Sequence, residues 1–380
     1  MLKKLLYFLT VLTLFSCKKE VNNVNITNKI PEINSSIKYA KGFDIEHNKK
    51  YTKLIIKSPF PEADQQIEYY LIPKKNKRPD SLKDKIIIEK PVENIVVTST
   101  THIPMLEILS EENSLIGFPQ SDYISSPKTR ELIQNGRVKE LGNVQDINTE
   151  ILLNLKPEAV IGFSLSKNNK MYQNIQNTGI PVIFNGDWLE ETPLGRAEWI
   201  KFFGVLFDKE KLADSIFSNI ENEYNKAKAI ALKAKERPSI LSGVLYKDKW
   251  NLPAGESFTA TLFKDANTNY LWSDTKGKGS LVLSFESVFA KAQAADFWIG
   301  AGIYTSFKEM QNNNIHYSEF SAFKNKDVHT FSKKRGENGG VLYFEMAPIQ
   351  PHIVLKDIIK VTHPELIPDY TPYFLERLDE

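Results

Sequence analysis

Two acids carry the strongest chemical signal in this chain. Glu150 follows Asn148-Thr149 and Glu286 follows Ser284-Phe285. Each opens an apolar helical stripe (Leu152, Leu153; Val288, Phe289) that leads into a short apolar run ending in glycine, at Gly162 and Gly300. A polar cap residue followed two places on by a glutamate puts the carboxylate where free backbone N–H groups and the helix dipole favour negative charge. Capping accounts for one such acid. Two matched copies predict a pair of similar lobes, each presenting one carboxylate at the start of a surface helix.

Other arrangements stop short of chemistry. Gly162-Phe163-Ser164-Leu165-Ser166 lacks the second glycine of a nucleophile elbow. Gly277-Lys278-Gly279-Ser280 lacks the earlier glycine that a phosphate loop needs. The segment from Asp265 to Lys276 has Tyr270 where a calcium loop must turn on glycine and Lys276 where a bidentate glutamate belongs, so it reads as a helix end. The histidines (47, 102, 316, 329, 352, 363) include no pair at helical spacing, and no zinc site is read from them. The expectation is a protein without catalytic residues, metal or cofactor. An envelope enzyme on the same scaffold is the alternative, and a surface lipoprotein that contacts a partner through its N-terminal region is a second.

The elements that must position the two acids follow from the alternation of the chain. Lys3-Lys4 and the apolar run Leu5–Phe15 lead to Cys17, the only cysteine. The run is too short for a permanent span and fits a secretory signal, with Cys17 where a lipoprotein carries its acylated cysteine. Residues 1–17 are therefore expected to be a lipoprotein signal with its lipobox cysteine, and 18–34 a flexible tether. Residues 35–90 alternate in short apolar and polar runs and predict a small antiparallel β-rich preface. From 91 to 191 strands alternate with helices, as in a parallel sheet covered by helices. Residues 192–236 form one long helical pattern, interrupted near Phe207-Asp208, and 237–380 repeat the alternation. The fold class expected is α/β: two lobes with mainly parallel sheets, joined by one long helix. The net charge is +2, from 49 basic and 47 acidic residues, which gives no support to nucleic-acid binding.

Three stretches carry a family resemblance: Gly142–Ile161 around Glu150, Leu283–Ala290 around Glu286, and Gln350–Ile359 near the C-terminus. From about Val92 to Leu366 the chain resembles the substrate-binding lipoproteins of ABC importers of the cobalamin and ferric-siderophore type. The resemblance implies two lobes bridged by a rigid helix and a metal-chelate ligand held between them. It also implies a monomer anchored through lipid in the cell envelope, facing the periplasm, and docking onto an ABC permease through Glu150 and Glu286.

Ligands in open α/β sheets gather outside the carboxyl ends of strands. Those ends nominate Thr100, Thr101, His102, Ser121, Tyr123, Phe163, Ser164, Asp187 and Trp188 in the first lobe. In the second they nominate Trp250, Gly300, Tyr304, Arg335 and Tyr343. The predicted loop positions of Tyr123, Trp188, Trp250 and Tyr304 suggest an aromatic cleft suited to a flat macrocycle, a corrinoid or haem. Arg196 and Arg335 are a thin supply of cations for an anionic ferric siderophore. The loop Lys333–Gly340 is expected to be flexible.

Overall fold

The preface begins the part of the chain that the computed structural model describes, residues 37–380, which belong to a single compact unit starting at Asn34. The expected signal, Cys17 and the expected tether lie outside the described residues. Strands β1 (Phe43–His47), β2 (Thr52–Ile56), β3 (Ile67–Pro73) and β4 (Ile86–Lys90) form one sheet in that order. The first two pairings are antiparallel, but β3 and β4 run parallel, which corrects the purely antiparallel expectation. The segment between them carries the chain back to the start of β3. Phe43, Leu54, Tyr69 and Ile88 of this sheet are buried in the same core as Trp199 and Phe202. The preface is thus part of the body of the protein.

The first lobe follows the predicted alternation. It comprises β5 (Ile95–Val97), α1 (His102–Ile108), β6 (Leu115–Phe118), α2 (Pro127–Gln134), β7 (Lys139–Glu140), the hairpin β8 (Gly142–Asn143) and β9 (Asp146–Ile147), α3 (Thr149–Leu155), β10 (Ala159–Gly162), α4 (Lys170–Asn177) and β11 (Val182–Phe184). The sheet runs β11-β10-β5-β6-β7, all parallel. β5, β6, β10 and β11 are buried throughout, as expected of strands covered on both faces.

The connector is three helices: α5 (Pro193–Glu198), α6 (Ile200–Leu206) and the long α7 (Glu210–Ala231). Thr192 caps α5 by accepting the N–H of Gly195, with Pro193 at the first helical position. The break before α7 falls where the pattern was interrupted, with Asp208 in a left-handed conformation at φ 55°.

The second lobe comprises β12 (Ser239–Leu241), β13 (Val244–Tyr246), β14 (Lys249–Pro253), α8 (Phe258–Asp265), β15 (Asn269–Tyr270), β16 (Ser280–Leu283), α9 (Phe285–Ala292), β17 (Phe297–Ile299), α10 (Phe307–Asn313), α11 (Ser321–Lys324), β18 (Val328–Thr330), α12 (Leu342–Met346), α13 (Pro351–Thr362) and β19 (Glu376–Arg377). The main sheet is β15-β12-β17-β18-β19, parallel except for β19. A separate antiparallel sheet, β13-β14-β16, was not legible in the sequence. Between β12 and β13 the chain breaks at Ser242-Gly243, where Gly243 has φ 78°. Between α10 and α11 lies a 3-10 turn, Ile315–Glu319. Among the described residues no helix is long and apolar enough to cross a membrane.

Candidate functional site: a cleft at the strand ends

The parallel strands β12, β17 and β18 release the chain at Ser242, Gly300 and Phe331. These three residues line a cavity of about 280 Å³ together with Thr259 of α8, Ser280 of β16 and Tyr343 of α12. Gly300 and Gly302 hold positive φ (79° and 60°), which turns the backbone sharply away from β17. A Cβ at Gly302 would lie 2.7 Å from Val244. The aromatic wall is built by Phe331 and Tyr343, stacked with centroids 4.1 Å apart. At the rim, Ile303 is 71% and Phe344 58% exposed. Large apolar side chains left open beside a concave site mark a binding surface. A larger cavity of about 680 Å³ is lined by Tyr224, Lys228 and Asp265. There Asp265 already accepts from the Tyr224 hydroxyl at 2.8 Å and pairs with Lys228 at 2.7 Å, so those polar groups satisfy one another.

The two lobes touch on both flanks of this site. On one flank Glu345 of α12 reaches the first lobe, where its carboxylate accepts the backbone N–H groups of Ser125 (2.6 Å) and Ser126 (3.0 Å). Burial pushes the Glu345 carboxyl up to about 7, with the two N–H donors opposing the rise and nearby Glu107 adding to it. The loop Lys333–Gly340, expected to be flexible, lies against the first lobe. Asn338 donates to Asp122 at 2.7 Å, and a Cβ at Gly340 would collide with the Tyr123 carbonyl oxygen. On the other flank Glu191 pairs with Lys278 of the second lobe and, at 3.1 Å, with Lys41 of the preface. The hydrogen bond from Lys278 is the main cause of the lowered Glu191 pKa.

The nominated cleft residues divide into three groups. Tyr343 and Gly300 line the cavity, and Tyr304 is half-buried in the loop after β17, packed on Tyr317 at 6.2 Å. Thr101, Phe163 and Trp188 are half-buried at the strand ends of the first lobe, and Tyr123 is 59% exposed there. Thr101 shares a hydrogen bond with Ser99 at 2.9 Å, and Ser164, which is buried, donates to the Ser166 carbonyl at 2.7 Å within its own turn. Arg335 is exposed and donates to the Gly339 carbonyl at 3.1 Å.

Two nominations are corrected. Trp250 lies on β14 and is fully buried, stacked on Trp298 at 5.2 Å, with its indole N–H donating to the Ser242 carbonyl. The alternation of β14 turns it to the core. His102 is also fully buried, its ring 5.5 Å from that of Phe203, and burial pulls its pKa down to about 4. As the first residue of α1 it points into the core, where neither ring nitrogen has a hydrogen-bond partner.

Glu150 and Glu286 are both exposed in the first turns of α3 and α9. Asn148 caps α3 by accepting the N–H of Ile151, and Ser284 caps α9 by accepting that of Ser287. Hydrogen bonds from its own backbone N–H and from Ser284 lower the Glu286 pKa. The acids themselves have no ion-pair partner among the described residues.

Sequence reasoning missed Phe331, Phe344, Thr259 and Glu345. Phe331 and Phe344 read as ordinary apolar positions, and Thr259 and Glu345 follow no motif. The strand-end rule applied to β18 would have reached Phe331. No metal-holding cluster of His, Cys, Asp or Glu occurs among the described residues.

Comparison with known proteins places these features in context. Residues 95–334 match the model of a family described as "Periplasmic binding protein". An uncharacterised lipoprotein of Methanocaldococcus jannaschii is 23% identical over 380 residues, covering 92% of this chain and 88% of the relative. The fold is similar to that of the Bacillus subtilis triscatecholate siderophore binding protein FeuA, solved with ferri-bacillibactin. That match has TM-score 0.54 and 16% identity, and covers 75% of this chain and 98% of that one. It is similar also to the Vibrio cholerae periplasmic haem-binding protein HutB (TM-score 0.54, 16% identity, 69% of this chain and 99% of that one).

Proposed function

The chain belongs to the periplasmic binding protein family, and we propose that it captures a metal chelate between its lobes and delivers it to an ABC permease. The observation that carries this reading is the cavity at the carboxyl ends of β12, β17 and β18, walled by stacked Phe331 and Tyr343 and rimmed by exposed Ile303 and Phe344. A cavity of this volume holds one part of a large chelate, and the strand-end loops of the first lobe supply further contacts. The apolar, aromatic lining favours a flat macrocycle such as a corrinoid or haem. The similarity to a siderophore-binding fold supports a ferric siderophore as the second reading.

Delivery rests on Glu150 and Glu286. Each stands exposed on a capped helix, free to form a charge-assisted pair with a permease cation. One pair at a solvated rim contributes little, so both lobes must engage together. Lipid attachment at Cys17 would hold the protein on the cell envelope, with the body facing the periplasm; the lipoprotein relative supports this. The body would act as a monomer. The test combines uptake and affinity. Glu150→Ala with Glu286→Ala should abolish chelate uptake in cells and leave the affinity of the purified protein unchanged. Normal uptake by the double variant would refute the docking assignment.

A further inference from the structure

The preface gathers unpaired cations at one end. The turn between β1 and β2 and the segment between β3 and β4 meet around a concavity of about 640 Å³, whose lining includes Lys49, Lys50, Lys75, Lys77, Arg78 and Asp80. All five cations are exposed. Arg78 donates to the carbonyls of Leu82 and Lys83, which fixes the β3–β4 segment. The four lysines have neither an ion-pair partner nor a side-chain hydrogen bond among the described residues. Elsewhere in the preface, Lys53, Lys57, Lys74 and Lys90 each have a carboxylate at 2.7 to 3.1 Å. The concavity holds five cations against one carboxylate, a net charge of +4, while the whole chain carries only +2. The rest of the chain is thus slightly negative. Like charges held together by two loops repel one another, and a polyanionic surface replaces that repulsion with attraction.

The position of this patch says which surface it meets. β3 and β4 end side by side, Pro73 against Lys90, and just beyond them Lys74 pairs with Glu158, the residue before β10. The patch therefore lies by the N-terminal ends of the first lobe's strands, on the side away from the cleft. At a rise of about 3.3 Å per residue, Lys49 is about 20 Å from the start of β1 at Phe43. The described chain begins at Ile37, and the residues between it and Cys17 can span at most about 70 Å. A bilayer that holds Cys17 is within reach of the patch.

We propose that this basic patch docks on the anionic phospholipid headgroups of the bilayer to which Cys17 would be anchored. The proposal goes beyond the carrier reading and rests only on its placement of the protein at the cell envelope. Each lysine or arginine near such a surface strengthens binding about fivefold, and salt screens the contact. A body seated on this patch turns its cleft away from the bilayer and open to ligand. Because the contact is solvated, it releases readily when the acids Glu150 and Glu286 are to engage a partner.

The test uses the chain from Lys18 onward, which keeps the whole compact unit from Asn34 to Glu380 and carries no acyl chain. Its binding to phosphatidylcholine vesicles is compared with binding to vesicles of phosphatidylcholine and phosphatidylglycerol in equal parts. The wild type should bind the anionic vesicles at least about tenfold more tightly, and high salt should remove the difference. Lys49→Gln, Lys50→Gln, Lys75→Gln and Lys77→Gln combined should lose at least about tenfold in that binding. Lys233→Gln, Lys235→Gln, Lys308→Gln and Lys324→Gln combined, which removes the same charge from exposed positions outside the patch, should bind as the wild type does. Thermal melting checks that both variants keep the fold. Equal wild-type binding to neutral and anionic vesicles, or an equal loss in the two variants, would overturn the proposal. Binding of soluble polyphosphate without binding to vesicles would overturn it too and assign the patch to a soluble polyanion. None of these outcomes touches chelate binding or acylation at Cys17, since the protein tested has no lipid and the cleft takes no part.

Discussion

At the scale of single residues, the informative side chains are those whose partners lie far away in sequence. Glu345 is one. Its carboxyl, pushed up to about 7 by burial, holds a proton in the folded chain at pH values where an unfolded carboxyl, with an ordinary value of 4.5, has released it. The folded state therefore binds more protons between these values. The group's contribution to stability is full below about pH 4.5 and is lost as pH rises through about 7. Glu345→Gln keeps one acceptor oxygen, enough for one of the Ser125 and Ser126 N–H groups, and removes the titration. Thermal melting between pH 5 and 8 should show a shallower decline with pH in this variant, whereas an unchanged slope would place the titration elsewhere. The sequence shows Glu345 as one more helical acid. Its burial follows from the approach of α12 to the first lobe, which no local pattern encodes. The same reason accounts for Trp250 and His102: the sequence gives residue type and approximate element, but a shift of one position on a strand or helix start turns a side chain from cleft to core.

At the scale of elements, the alternation of apolar runs and helical stripes was a reliable guide wherever strands are buried on both faces. The strands β5, β6, β10 and β11 read as uninterrupted apolar runs because both faces are covered. The β13-β14-β16 sheet escaped notice because its strands are short and largely exposed or half-exposed, and β14 interleaves polar residues, as in Lys249-Trp250-Asn251. The tie between preface and connector was equally invisible. Glu198 is fully buried, and its carboxylate accepts the backbone N–H groups of Lys38, Tyr39 and Ala40 at 2.6 to 3.0 Å, as well as the Lys201 ammonium at 3.0 Å. Glu190 does the same for Lys41 and Gly42 and also accepts the Trp199 indole N–H at 3.0 Å. Removing the Glu198 carboxylate leaves the backbone N–H groups of Lys38, Tyr39 and Ala40 without their acceptor, while Lys201 keeps Asp214 at 3.4 Å. Glu198→Ala should cost about 3 kcal/mol, since buried donors left unmet are costly, read as a lower denaturation midpoint in urea. A loss below about 1 kcal/mol, the size typical of a surface ion pair, would show that the preface is only loosely attached. Because this sheet shares the core of the connector, the preface belongs to the scaffold that fixes the cleft.

At the scale of the whole molecule, two α/β lobes are joined by α5, α6 and α7 and meet again on both flanks, through Glu345 on one side and the Lys41–Glu191–Lys278 cluster on the other. The lobes are tied at three places, so ligand entry is expected to need only a small opening, and binding energy is spent on contacts in the cleft in preference to a large closure. A metal chelate is expected to sit at the carboxyl ends of β12, β17 and β18. Tryptophan fluorescence of the purified protein, titrated with haemin, cyanocobalamin and ferric siderophores and corrected for ligand absorbance, tests it most directly when paired with Ser280→Trp, which places a bulky ring at the cavity lining. The wild type should show saturable quenching by one of these chelates, and the folded variant should lose at least about tenfold in affinity. Binding that is unchanged by Ser280→Trp, or no binding at all by the folded wild type, would contradict it.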